Sequence, residues 1–178
     1  HSILARQARH EIRHTLVYAS DKGREQLNSV NSMLMDDLRL RIHQITQEET
    51  GRTDLTDQLL SSFAKGDIQV ITAMRVLDEG IDIPEVSTAF ILASTTVERQ
   101  WIQRRGRVLR KCHRTNKQIA YVHDFLVLPP KGIEPEIFGR DILKLIKAEL
   151  ERVTEFAKLS GNATAPDGAL VTVRPIIE

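Results

Sequence analysis

Cysteine occurs once in this chain, at Cys112, so no disulfide can close within it, and such usage suits a reducing cytoplasm. Zinc is disfavoured on the same ground: Cys112-His113 has no second cysteine and the other histidines lack ligand spacing, so no metal site is expected here. Aromatic residues are also scarce, with one tryptophan, two tyrosines and five phenylalanines, too few for a surface that grips ligands mainly by stacking. No apolar run reaches the ~20 residues of a membrane-spanning helix, so no membrane partner is expected. A phosphate loop of the form Gly-x-x-x-x-Gly-Lys-[Ser/Thr] is missing, because Lys22-Gly23, Lys65-Gly66 and Lys131-Gly132 all carry the pair in reverse order. The chain begins His1-Ser2, without methionine, secretory signal or lipidation motif, and is expected to be an excised or processed piece.

What is present describes an ordinary globular chain with one unusual segment. A hydrophobic fraction of 41% and 28% charged residues over 178 positions allow one good core, with neither a disordered nor a membrane-embedded class indicated. The net charge of +1 conceals a local imbalance, since positions 98 to 114 carry six arginines and Lys111 against the single acid Glu98. An anion is expected there. If residues 97 to 112 form a helix at about 100° per residue, Val97, Trp101, Val108 and Cys112 share one stripe. Arg99, Gln103, Arg107 and Arg110 then fall roughly opposite.

Several guanidinium groups on one rigid face suit a polyphosphate, because each planar fork makes paired hydrogen bonds to oxyanions and keeps its charge. Gly106, at the edge of that face, leaves room for a backbone or a phosphate to approach. The competing reading is a solvated basic helix. On the apolar stripe, Cys112 reads as a buried structural thiol.

Along the chain, His14 to Ser20 reads as a buried strand, residues 21 to 36 as a helix packing through Leu27, Val30, Leu34 and Met35, and Leu38 to Thr46 as a strand near a sheet edge. Thr53 to Lys65 reads as a helix with Leu55, Leu59, Leu60 and Phe63 on its packing face. Ile68 to Ala73 and Val86 to Ala93 read as central strands, and Ile119 to Leu128 as another strand. Thr95 and Glu98 form a capping-box pattern that starts the arginine helix. Alternation of this kind predicts an α/β fold, a doubly wound, mostly parallel sheet with helices on both faces and ligands beyond the carboxyl ends of the strands. Leu143, Ile146, Leu150, Val153 and Ala157 recur at three- and four-residue steps, which predicts a long amphipathic helix. The organisation expected is a helix or linker over 1–12, the main domain over 13–128, the appended helix over 129–160 and a tail over 161–178.

Two motifs sharpen this picture. The run Gln103-Arg104-Arg105-Gly106-Arg107-Val108-Leu109-Arg110, downstream of Glu79-Gly80-Ile81-Asp82-Ile83-Pro84, resembles motifs VI and V of superfamily 2 DEAD/DEAH-type helicases and translocases, in their second RecA-like domain. The resemblance covers roughly residues 13 to 128, with His14 to Ser20 similar to the motif IV strand. The wording from Leu77 to Val86 is closest to excision-repair and restriction-type DNA translocases.

The resemblance implies the carboxy-terminal motor domain of an ATP-dependent helicase or translocase. Arg107 and Arg110 would be its arginine fingers, stabilising charge on the γ-phosphoryl oxygens. Gln103 would hold the nucleotide or couple it to the cleft, while Gly80 and Asp82 would approach the ribose. For Asp82, a turn residue before Pro84 is the alternative. Nucleic acid, with DNA favoured over RNA, would be gripped along its backbone near Ser20, Thr46, Met74 and Arg75, although Met74 stands where the DEAD-box pattern has a threonine.

The phosphate loop and the Mg ligands would then lie on an amino-terminal RecA-like domain of the same parent chain, and this piece alone would not hydrolyse ATP. Two other classes compete: a non-catalytic nucleic-acid- or protein-binding module on the same fold, and a metabolic domain binding a small phosphorylated ligand. The latter accounts for the alternation of elements but for neither motif.

Overall fold

Short runs of consecutive apolar residues, rather than alternating ones, mark strands that are covered on both faces. The computed structural model describes residues 12–20, 23–45, 53–74, 83–92, 106, 108, 110–126, 140–158, 160–166 and 168–177. Five strands form one parallel sheet in the order β2-β3-β1-β4-β5: β1 (Thr15–Tyr18), β2 (Ile42–Ile45), β3 (Val70–Ala73), β4 (Thr88–Ile91) and β5 (Tyr121–Asp124). Every residue of β1 and β3 is buried, whereas β2 and β5, at the edges, are mostly half-exposed. The edge position expected for the second strand and the central positions expected for the third and fourth are those observed.

The two-residue period of a strand sorts the core into two clusters. Leu16, Tyr18, Ile71, Ala73, Ala89 and Ile91 face one way, together with Leu59, Phe63, Ile83, Val86 and Val108. Val17, Val70 and Phe90 face the other, with Ile12 and Leu34. Segments far apart in sequence are thereby tied to a common layer.

The helices follow from local chemistry, with one exception. Helix α2 (Thr53–Lys65) has the bounds read from the sequence. Gly66, at φ 84°, reverses the chain there: its N–H donates to the Phe63 carbonyl at 3.0 Å, and the Asp67 N–H to the Ser62 carbonyl at 2.9 Å. That pair of bonds is a Schellman stop, which glycine adopts without steric cost. Phe63 and Leu59 are buried as expected, but Leu55 is 40% exposed, one turn beyond the covered part of the face.

Helix α1 (Glu25–Ser32) runs into a π-helical turn over Met33–Asp37, closed by the Leu38 N–H on the Met33 carbonyl at 3.2 Å. The wider turn shifts the helical register, so Met33 packs against the core while Met35, expected inside, is 46% exposed. Arg39 then takes a positive φ of 54°, which breaks the extended pattern. The strand therefore starts at Ile42 rather than Leu38.

The chain divides into two compact units, the second running from Leu126 onward. It holds α3 (Arg140–Lys158) and α4 (Ala169–Ile177), which pack on each other. Val153 and Ala157 of the expected α3 stripe are buried, whereas Leu143 is exposed. Arg152 and Glu149 form a buried ion pair at 2.8 Å. A Cβ at Gly168 would stand 2.0 Å from the Asn162 carbonyl oxygen, so the turn before α4 admits only glycine. Among the described residues, no helix is long and apolar enough to cross a membrane.

Phe63 and Leu55 differ sharply in what their removal should do. Phe63→Ala is expected to cost about 3–5 kcal/mol in urea denaturation, whereas Leu55→Ala should stay within about 0.5 kcal/mol. His123 yields a second test, because its ring stacks on Phe90 at 4.6 Å and burial lowers its pKa. The unfolded state then binds a proton that the folded state resists. The stability this contributes is complete above the unfolded value of about 6.5 and is lost as pH falls from there through the folded value. Urea midpoints measured from pH 7.5 down to pH 5 should fall less steeply in His123→Phe, and parallel slopes in the two proteins would refute the assignment.

Candidate nucleotide site

Motif V ends in a tight turn whose construction is visible in its residues. Proline pre-sets the φ needed at the second position of a turn, and Pro84 occupies that position in Ile83-Pro84-Glu85-Val86, closed by the Val86 N–H on the Ile83 carbonyl at 3.2 Å. Ile83 and Val86 are buried in the layer that also contains Val108 of motif VI. The turn is therefore pinned to the sheet at both ends. Gly80 and Asp82, just before it in sequence, lie outside the described residues.

In motif VI, Gly106 and Val108 are helical, and burial separates the positions cleanly. Val108 is 1% exposed, while Gly106 and Arg110 are exposed, and among the described residues nothing stands within 4 Å of a Cβ placed on Gly106. One side of the segment packs and another is open. Gln103 and Arg107, like the Thr95–Glu98 capping pattern, lie outside the described residues.

The helix does not reach position 112 as the stripe predicts, because Arg110 and Lys111 are already non-helical. Cys112 is buried, but on an antiparallel bridge to Lys117, where the Lys117 N–H donates to the Cys112 carbonyl at 2.9 Å. Asn116, at φ 51°, makes the return possible, since asparagine tolerates the left-handed region better than most residues.

Lys117 is the residue that the sequence did not disclose. Its side chain is buried and its Nζ donates to the carbonyls of Pro84 at 2.8 Å, Val86 at 2.6 Å and Val108 at 2.8 Å. Arg114, in the same turn, holds the buried carboxylate of Glu85 at 3.4 Å. Nothing in a polar run such as His113 to Lys117 distinguishes an inward lysine from a solvated one.

The residues expected to grip nucleic acid fall at or beyond the carboxyl ends of strands. Because Tyr18 pairs with Ala73, Ser20 and Met74 emerge at the same edge of the sheet, beyond the carboxyl ends of β1 and β3. Both are half-buried, and the Ser20 N–H donates to Gln26 Oε1 at 2.6 Å. Thr46 and Arg75, which follow β2 and Met74 in sequence, lie outside the described residues. Among the described residues no group of three or more His, Cys, Asp or Glu side chains could hold a metal ion. Gly106 and Arg110 are thus both exposed, and a guanidinium is in general a suitable donor to a phosphate.

Comparison with known proteins matches this architecture. The model of the helicase conserved C-terminal domain matches residues 2–112. Over 58 residues the chain is 40% identical to the DNA 3'-5' translocase XPB2 of Sulfurisphaera tokodaii, an alignment that covers 33% of this chain and 13% of the translocase. Its fold is similar to the C-terminal domain of the DEAD-box protein Dbp5, with a TM-score of 0.53 at 16% identity over 89% of this chain and 79% of that one. It is also similar to the yeast DEAD-box splicing factor Prp28, with a TM-score of 0.53 at 14% identity over 83% of this chain and 30% of that one. The chain thus spans only a small part of the length of the translocase it matches. A family model that covers more than half of the residues, on a parallel sheet with motifs V and VI anchored to one layer, makes this chain a member of the helicase C-terminal domain family of superfamily 2.

Proposed function

We propose that this domain supplies the arginine fingers and part of the nucleic-acid track of an ATP-dependent DNA translocase or helicase. The observation that carries the proposal is the burial pattern of motif VI: Val108 is locked into the core while Gly106 and Arg110 face outward. A segment fixed on one side and open on the other holds a guanidinium rigidly toward a ligand, and pre-organised charge of this kind stabilises a transition state without reorganisation.

A bound nucleotide would supply the phosphoanhydride whose cleavage drives movement. Arg107 and Arg110 would bear on the charge that spreads over its terminal oxygens, with Gln103 holding the nucleotide and Gly80 and Asp82 close to the ribose. The phosphate loop and Mg ligands would come from an amino-terminal RecA-like domain, with the site formed between the two halves.

Nucleic acid would run along the sheet edge near Ser20, Thr46, Met74 and Arg75, held through its phosphates with little sequence preference. The similarity to a DNA 3'-5' translocase supports DNA over RNA, since the DEAD-box structures share the fold at 14–16% identity. The single cysteine suits a cytoplasmic enzyme.

Two variants of the full-length protein test this reading. Arg107→Ala should fold and bind nucleotide nearly as the parent does, while nucleic-acid-stimulated ATPase falls by about three to five orders of magnitude. Wild-type turnover in that variant would exclude a finger role, and the present chain assayed alone should release no phosphate above background. Gly106→Ala should keep or raise the melting temperature, because alanine in a helix is favoured by about 0.5–1 kcal/mol and its methyl meets nothing among the described residues. ATPase should nevertheless drop, since the added Cβ intrudes where a phosphate or the opposing domain approaches. Unchanged ATPase would mean that this space is not used.

A further inference from the structure

We infer that Lys117 is a positioning residue for the nucleotide site, clasping motif V to motif VI, an inference that rests on the finger reading of Arg107 and Arg110. An ammonium group has three N–H donors and no acceptor. Here those donors point at three carbonyls, Pro84 and Val86 at 2.8 and 2.6 Å and Val108 at 2.8 Å. A buried charge persists only when hydrogen-bonded, and bonds from a cation are stronger than neutral ones.

The partners matter more than their number. Pro84 and Val86 belong to the turn that closes motif V, and Val108 lies between Arg107 and Arg110 in motif VI. Backbone carbonyls cannot swing away as side chains do. Fixing Val108 O relative to Pro84 O and Val86 O therefore fixes the path of the chain that carries both arginines. The Val108 carbonyl also lies at the end of its helix, where such groups lack intrahelical partners and a cation is favoured.

A second contact from the same 112–117 turn acts on the same segment: Arg114 Nη1 stands 3.4 Å from Glu85 Oε1, whose side chain is buried. Glu85 sits between the two motif V carbonyls that Lys117 holds. Two cations of one short turn thus grip three successive residues of motif V, one through the backbone and one through a carboxylate. The Cys112–Lys117 bridge keeps that turn closed, with Cys112 itself buried.

The role predicted is geometric, so its signature is a loss in kcat rather than in nucleotide binding. In the full-length protein, Lys117→Met keeps the length and removes the donors. It is expected to lower the kcat of nucleic-acid-stimulated ATPase about 10- to 100-fold, the scale of an ångström-sized misplacement. The KM for ATP should stay within about threefold. Leu34→Ala, in the cluster on the opposite face of the sheet, serves as a stability control and should retain kcat at a temperature where both variants are folded.

Wild-type kcat in folded Lys117→Met, or an equal loss in the Leu34 control, would overturn the proposal. If Lys117→Met does not fold, Lys117→Gln, which offers two donors, takes its place with the same expected split. Failure of both to fold would assign Lys117 to stability alone and likewise overturn it. Arg107→Ala and Arg110→Ala measured in parallel separate the two readings. Their wild-type turnover would remove the finger assignment and the route by which Lys117 acts, whereas their loss beside an unaffected Lys117 variant would remove only the clasp.

Discussion

A parallel sheet cannot leave a face in water, because each crossover lays chain over one face or the other, and here that constraint organises everything else. Strands β1 and β3 are buried along their whole length, and their side chains alternate between two layers. Leu16 and Tyr18 enter one layer while Val17 enters the other. Whatever is to be held rigidly must join one of these layers. Ile83, Val86 and Val108 do so, which is how two segments distant in sequence acquire a common reference.

Polar groups do the remaining work where the strands begin. At the amino-terminal end, Arg41 donates through Nε to the Asp67 carbonyl at 2.7 Å and through Nη2 to the Gly66 carbonyl at 3.0 Å. Gln69 Nε2 reaches the Ile12 carbonyl at 2.9 Å. These contacts satisfy backbone groups where the strands begin. Beside motifs V and VI the same task falls to Lys117 on three carbonyls. An unpaired buried donor or acceptor costs about 1–3 kcal/mol, so each such residue is structurally consequential out of proportion to its size.

The two levels of similarity match this division. Solved structures at 14–16% identity share the arrangement of sheet and helices, which depends on apolar pattern and tolerates many sequences. Identity of 40% is confined to 58 residues shared with a DNA translocase. A fold can host many chemistries, so the nucleotide-site assignments rest on motifs V and VI rather than on the sheet.

How much of this was legible beforehand depended on the range of the interaction responsible. Helix α2 could be bounded because its stop is local, a glycine that takes a positive φ and closes two hydrogen bonds within six residues. The ranking of strands into centre and edge was legible because burial on two faces leaves a continuous apolar run. Arginine spacing in motif VI, and the expectation that Val108 packs, were likewise written in the sequence. Tertiary structure decided the rest. The π-helical turn that exposes Met35 answers to the packing of Met33, and the end of the arginine helix before Cys112 answers to a bridge with Lys117. Lys117 itself points inward because three carbonyls from two remote segments converge on its position. Periodicity and capping act within a few residues and can be read from order alone, whereas that convergence exists only once the sheet has brought the segments together.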